Sequence, residues 1–132
     1  MNNSRDQELL AAAHSAREFA YAPYSRFKVG AALLLEDGRV VCGANIENIS
    51  FGLTICAERV AVGAAVLCGC TAFERLALFS DSDEPVVPCG ACRQVLAEFA
   101  PELGIVSQGL KGKVSEFNLG YLLPSPRQGI LR

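Results

Sequence analysis

Residues 28–46, KVGAALLLEDGRVVCGANI, decide the fold. KVGAALLL (28–35) is almost wholly apolar, Asp37-Gly38 follows it, and RVVCGANI (39–46) comes next. Asp-Gly between two apolar runs is a hairpin signal, so the stretch predicts two antiparallel strands. The first strand is apolar on both faces, and such a strand belongs in the middle of a sheet covered on both sides. Helices must therefore flank the sheet above and below.

The rest of the chain supplies them. Ser4 and Gln7 have the spacing of a capping box, and Leu9, Ala13, Ala16 and Ala20 recur at helical intervals, predicting a first helix to about Ala20 before Pro23. Thr54 reads as the N-cap of a second helix whose buried stripe is Ala57, Val60, Ala61, Ala64 and Leu67. RLALFS (75–80) reads as a third strand. A third helix follows Pro88, with Cys92, Val95, Leu96 and Phe99 on one face and Pro101 at its end. GIVSQ and KVSEF read as the fourth and fifth strands, and NLGYLLP as a short last helix. Helix-linked strands favour parallel pairing, while the hairpin is antiparallel. The expected fold is α/β, a three-layer α-β-α sandwich with a mixed five-stranded sheet and helices on both faces.

The chain has 132 residues, 51% hydrophobic and 20% charged, which suits one domain spanning residues 1–132. The formal net charge is -2 and no Lys/Arg cluster stands out, which argues against a nucleic-acid partner held through its phosphates. The polar N-terminus does not read as a signal peptide. The uncharged stretch Val60 to Phe73 is shorter than the roughly 20 residues a membrane span needs, and reads as a core helix. A soluble cytoplasmic protein is expected, its six cysteines reduced or metal-bound.

Chemistry concentrates in TICAERVAV (54–62) and Pro88-Cys89-Gly90-Ala91-Cys92. Both cysteine groups lie at predicted helix N-termini, whose partial positive charge favours thiolates. If the helices lie side by side, Cys56, Cys89 and Cys92 converge as three soft ligands for one zinc ion. Three ligands leave the fourth tetrahedral position for water, the plan of a catalytic site. Glu58 is about 200° around the helix from Cys56, so it does not ligate easily but can face that water as a proton shuttle. Three thiolates leave the centre negative. Arg59 and Arg93, which follow Glu58 and Cys92, could donate to the sulfurs and keep the water acidic. Cys42, Cys68, Cys70, Tyr21, Tyr24 and His14 read as structural or surface residues.

Cys-Ala-Glu followed by Pro-Cys-x-x-Cys resembles the zinc deaminase signature, with cysteine in place of histidine as first ligand. YAPYSRFKVGAALL, NIEN and CGACRQV resemble the small cytidine deaminases in order and spacing, from about residue 9 to Pro124. The resemblance implies one zinc per subunit on Cys56, Cys89 and Cys92, with Glu58 moving protons from water to N3 of the base and to departing ammonia. It implies nucleoside binding by Phe27, Asn45 and Glu47, with the backbone near Ala57 and Cys89 meeting the pyrimidine edge. Cytidine, and deoxycytidine, would become uridine and deoxyuridine in pyrimidine salvage. The resemblance also implies a homotetramer with sites shared between subunits. The family usually places an aromatic residue shortly after LLP, closing a neighbour's site. Here LLPSPRQGILR puts Arg127 near that place, and no aromatic follows Tyr121. Phe51 stands where many relatives carry tyrosine. Base stacking is then weaker, or falls to Phe27 alone, or to the guanidinium plane of Arg127.

Other functions fit part of the pattern. A zinc deaminase of another cytosine- or purine-type substrate keeps the same centre. A structural zinc module would add a fourth ligand from Cys42, Cys68 or Cys70. A redox protein would cycle Cys89 and Cys92 and leave Glu58 without a role.

Overall fold

The computed structural model describes residues 4–127. Its elements are α1 (Ser4–Arg17), β1 (Val29–Leu35), β2 (Val40–Ala44), a 3-10 turn (Phe51–Leu53), α2 (Ala57–Leu67), β3 (Phe73–Ser80), α3 (Gly90–Phe99), β4 (Gly104–Gln108), β5 (Val114–Asn118) and α4 (Leu119–Leu122). The strands form one five-stranded sheet in the order β2-β1-β3-β4-β5. β1 is antiparallel to both β2 and β3, β3 is parallel to β4, and β4 is antiparallel to β5.

The apolar hairpin strand lies where its composition predicts. β1 sits inside the sheet, and from Gly30 onward it is buried on both faces. Ala32 and Leu34 face α1 and pack with Leu9, Leu10, Ala13, Ala77, Phe79 and Val106. Ala31, Leu33 and Leu35 face the other layer, with Ala57, Ala61 and Ala65 of α2, Leu96 of α3 and Leu119 of α4. The turn between β1 and β2 is Glu36-Asp37-Gly38. It is closed by hydrogen bonds from Leu35 N–H to Arg39 O (2.9 Å) and from Gly38 N–H to Leu35 O (3.0 Å). Gly38 has φ 93, a left-handed conformation that glycine adopts without steric cost.

Several boundaries differ from the sequence expectation. α1 ends at Arg17 rather than near Ala20, because the N–H groups of Glu18, Phe19 and Ala20 bond three residues back and tighten the last turn. Ser4 is the first residue of α1 rather than its cap, and the cap position lies outside the described residues. The N-cap of α2 is Cys56, not Thr54, which instead closes the 3-10 turn. The buried face of α2 is correspondingly Ala57, Glu58, Ala61, Val62 and Ala65, and Leu67 is 90% exposed. This narrow alanine face has a cause in β2. A Cβ on Gly43 would strike Ala57 O and Ala61 N, so the helix backbone rests directly on the strand. The uncharged stretch Val60 to Phe73 is not one helix. It comprises most of α2, a turn at Gly69 (φ 86) and the first residue of β3. β3 begins earlier than predicted, at Phe73, and β5 is shifted by one residue. No helix among the described residues is long and apolar enough to cross a membrane.

Candidate metal centre and active site

The topology explains why distant cysteines meet. β2 and β3 run in the same direction with β1 between them, and α2 connects them. α3 connects β3 to the parallel β4. Both helices therefore start at the same edge of the sheet and on the same face, where they touch. Cys56 and Cys89 are their N-cap residues, in extended conformations (φ -71, ψ 155 and φ -66, ψ 169). Neither thiol makes a capping hydrogen bond to its own helix.

Cys56, Cys89 and Cys92 bring their Sγ atoms within 4.8 Å of one another. Cys56 Sγ and Cys89 Sγ are 3.9 Å apart. Two sulfurs on one tetrahedral zinc, each at about 2.3 Å, stand roughly 3.8 Å apart, so the cluster fits that ion. Among the described residues the group has three members, and neither Glu58 nor Cys42, Cys68 or Cys70 joins it. Those last three cysteines lie elsewhere. Cys42 lines a groove with Phe19, Cys68 caps the C-terminus of α2, and Cys70 packs on the core with its thiol 3.4 Å from Ala72 O.

The thiols polarise one another. Cys92 donates to Cys56, and this, with the Arg59 guanidinium and Cys89, lowers the Cys56 thiol to about 5 against the opposing effect of burial. Cys92 is pushed up, first because it serves as that donor and then by burial. Arg59 Nη2 lies 3.7 Å from Cys56 Sγ, and its contacts with Cys92 and Cys56 hold it charged. Arg93 departs from expectation. Its Nε donates to Pro88 O (2.8 Å) and its Nη1 to Leu122 O (3.4 Å), so it braces the loop before Cys89 rather than a sulfur.

Glu58 is in the first turn of α2 and only 6% exposed. Burial is the main reason its carboxyl rises to about 7; the neighbouring Cys56 adds to the rise, while its own backbone N–H and Arg59 oppose it. A carboxyl poised near neutrality can both take and give a proton.

A second segment joins this centre through backbone hydrogen bonds. Ile46 and Ile55 form an antiparallel bridge, so Asn45 and Glu47 flank a residue paired with the neighbour of Cys56. Asn45 is buried. Its Oδ1 accepts from Val29 N–H (2.9 Å) and its Nδ2 donates to Phe27 O (2.8 Å). One amide hydrogen and one lone pair remain for a ligand. Glu47 is exposed. Its Oε1 accepts from Tyr24 N–H (2.9 Å) and Ser25 N–H (3.2 Å), and its Oε2 accepts from the Ser25 hydroxyl. The Ser25 hydroxyl lowers its pKa most, desolvation opposes this, and the two N–H groups lower it further, which keeps it a carboxylate. Phe27, two residues before β1, is 38% exposed. A cavity of about 300 Å³ is lined by Tyr24, Ser25, Glu47, Phe51 and Thr54.

Ser25 also lines this cavity, which nothing local in the sequence signals. It sits inside YAPYSRFKVGAALL, but only the fold shows that its hydroxyl joins Glu47 to Phe27 N–H (3.0 Å). Tyr24 is also more than packing, since it lines the cavity and meets Phe51 edge-on at 5.9 Å. Arg127 donates to Glu98 O (2.6 Å) in the last turn of α3. The residues after it lie outside those described.

Comparison with known proteins agrees with this geometry. Residues 3–107 match the family model for the cytidine and deoxycytidylate deaminase zinc-binding region, a span that includes the three cysteines and Glu58. The chain is 50% identical over 119 residues to a cytidine deaminase of Halalkalibacterium halodurans, covering 89% of this chain and 90% of that protein. It is 49% identical to a cytidine deaminase of Sporosarcina psychrophila, covering 89% and 88%. A crystal structure of cytidine deaminase from Burkholderia pseudomallei superposes with a TM-score of 0.87 at 45% identity, covering 95% of this chain and 98% of that one. With three thiols converging at two helix starts, a buried carboxyl beside them and a family match across most of its length, this chain belongs to the zinc-binding cytidine and deoxycytidylate deaminase family.

Proposed function

We propose that this protein, acting as one domain over residues 1–132, hydrolyses the C4 amino group of cytidine and deoxycytidine, giving uridine or deoxyuridine and ammonia. The observation that carries the reading is the meeting of Cys56, Cys89 and Cys92 beside a Glu58 whose burial raises its carboxyl to about 7. Cys56, Cys89 and Cys92 would hold one Zn²⁺, which when bound supplies Lewis acidity that makes water nucleophilic near neutral pH.

The chain's own residues do the rest. Arg59 draws electron density from the Cys56 sulfur. Glu58 takes a proton from the attacking water and delivers it to N3 of the base. After oxygen bonds to C4, Glu58 takes the remaining proton from the new C4 hydroxyl and passes it to the amino group; the C4–N bond breaks, C4=O forms and ammonia leaves. Phe27 supports the base. Asn45 and Glu47 hold the ribose hydroxyls, with the spare amide hydrogen of Asn45 and the carboxylate of Glu47 as partners. The backbone of Ala57 and Cys89, at the starts of two helices, faces the polar edge of the pyrimidine.

The same reading extends to assembly and setting. A homotetramer with shared sites is supported by large exposed apolar side chains at Phe19, Ile49, Phe51, Leu53 and Leu67. A cytoplasmic place is supported by cysteines free of disulfides, and a place in pyrimidine salvage follows from the proposed reaction. The substrate is a free nucleoside rather than a nucleic acid or a membrane component.

The test is direct. Zinc-loaded protein mixed with cytidine should release ammonia in step with formation of uridine, read by absorbance and chromatography. Absence of turnover on both cytidine and deoxycytidine would overturn the substrate assignment. Sedimentation velocity measures the oligomer in the same preparation.

A further inference from the structure

Phe27, Lys28 and Val29 are joined to the rest of the fold through every one of their backbone polar groups. Phe27 N–H donates to Ser25 Oγ, and Phe27 O accepts from Asn45 Nδ2. Val29 N–H donates to Asn45 Oδ1, and Val29 O accepts from Asn45 N–H (3.3 Å). Lys28, between them, is held by Asp81 alone. Its N–H donates to Asp81 Oδ2 (2.9 Å), and its O accepts from Asp81 N–H (3.1 Å). Asp81 directly follows β3, and through these two bonds it carries the β1–β3 pairing one residue beyond the Val29–Ser80 pair.

Asp81 is itself anchored. Its Oδ1 accepts from Arg17 Nη1 at the end of α1, and the Arg17 guanidinium lies over the Phe79 ring, 5.4 Å from its centroid. α1 on one face of the sheet is thereby linked to the strand start on which Phe27 stands. The segment needs such restraint. Arg26 has φ 60, a left-handed conformation that a non-glycine residue keeps only when its surroundings impose it.

We propose that Asp81 is a positioning residue for the nucleoside base. With Arg17 behind it, Asp81 fixes the Lys28 peptide and so presents the Phe27 ring in one orientation before substrate arrives. The inference rests on the proposed role of Phe27 in supporting the base. Its physical content is preorganisation. Without Asp81, the ordering of residues 26–28 would have to occur on binding and would weaken affinity without touching the proton transfers at Glu58.

The test uses the zinc-loaded full chain with wild type, Asp81→Ala, Asp81→Asn, Phe27→Ala and the double variant Asp81→Ala/Phe27→Ala. Asp81→Ala should raise KM for cytidine about tenfold, with kcat within about twofold and one zinc per chain retained. Asp81→Asn should fall between, because its amide oxygen can still accept from Lys28 N–H. In the Phe27→Ala background, Asp81→Ala should raise KM by less than about twofold, since a residue acting through Phe27 has nothing left to position. A purely structural role would instead give additive effects, or lost zinc and kcat, and would overturn the proposal. If Asp81→Ala does not fold, Arg17→Met, which keeps an apolar stem over Phe79, should raise KM in the same direction, and an unchanged KM there overturns it too. An active wild type with unaltered KM in the Asp81 variants sinks this inference alone. A wild type inert on cytidine sinks the functional reading, and this inference with it.

Discussion

Ile46 and Ile55 exchange both backbone hydrogen bonds, N–H to O at 2.9 Å in each direction. The pairing is short, yet it ties the Asn45–Glu47 segment to the residue preceding Cys56. The segment proposed to meet the nucleoside and the helix start that carries Cys56 are therefore joined through backbone hydrogen bonds.

Glu58→Gln keeps the size and burial of the side chain but cannot shuttle a proton. Zinc content should stay at one per chain while kcat falls by about 10²–10⁴-fold, the usual worth of positioned acid–base catalysis. Metal analysis alongside steady-state kinetics checks this. Wild-type kcat in the variant would remove Glu58 from the mechanism.

Zinc binding should release protons. Cys92 is held above the ordinary thiol range by its hydrogen bond to Cys56 and by burial, so the metal-free protein carries its proton at neutral pH. Cys56, lowered to about 5, is already a thiolate there. Ligation requires thiolates, so the Cys92 proton must leave, and zinc affinity should weaken as pH falls. Calorimetric titration of metal-free protein in buffers of different ionisation enthalpy counts the protons. A value of zero at pH 7 would contradict the assignment of Cys92 as a ligand.

Arg59→Gln should leave the three thiols able to bind zinc but remove the cation next to Cys56. The expected result is retained metal with kcat reduced by about tenfold or more and an acid limb of the rate profile moved to higher pH, because a more electron-rich centre acidifies water less. Arg93→Gln should instead lower thermal stability, since Arg93 braces Pro88 and Leu122 and touches no sulfur in the set of hydrogen bonds it makes.

Gly43→Ala should damage the centre from beneath. The added methyl would meet Ala57 O and Ala61 N, both backbone atoms of α2 that cannot rotate aside. Overpacking of this kind costs about 1–3 kcal/mol. Because Cys56 immediately precedes Ala57, zinc affinity should fall as well as the denaturation midpoint. Unchanged metal affinity would show that α2 can shift without moving its cap.

Asp6→Ala tests the frame far from the centre. Asp6 is buried and receives a bidentate pair from Arg75, Nε to Oδ1 at 2.7 Å and Nη2 to Oδ2 at 2.9 Å. Removing one partner of a buried ion pair costs on the order of 3 kcal/mol, read by chemical denaturation, while KM at moderate temperature should not change.

Local pattern carried much of this protein. The apolar hairpin strand, the Asp-Gly turn, β4 at GIVSQ and the helix after Pro88 were legible because each is set by side chains close in sequence. Cys56, Glu58, Cys89 and Cys92 were legible because ligand chemistry restricts residue type and spacing. The start of α2 was not. Thr54 has the better capping side chain, but Ile55 is engaged by Ile46, so its backbone stays extended and the helix begins only after Cys56. That pairing comes from a segment outside the helix, which no local propensity registers. Ser25 and Asp81 escaped for the same reason. The Ser25 hydroxyl reaches the Glu47 carboxylate and the Asp81 carboxylate reaches Lys28 N–H, partners far away in sequence, and Arg93 follows the motif in sequence yet turns to Pro88 and Leu122. The sequence by itself determined which elements form and which chemistry they carry. Only the tertiary structure decided that β3 is the other neighbour of β1, so that β2 and β3 run in the same direction and the two helix starts, with the thiols on them, share one end of the sheet.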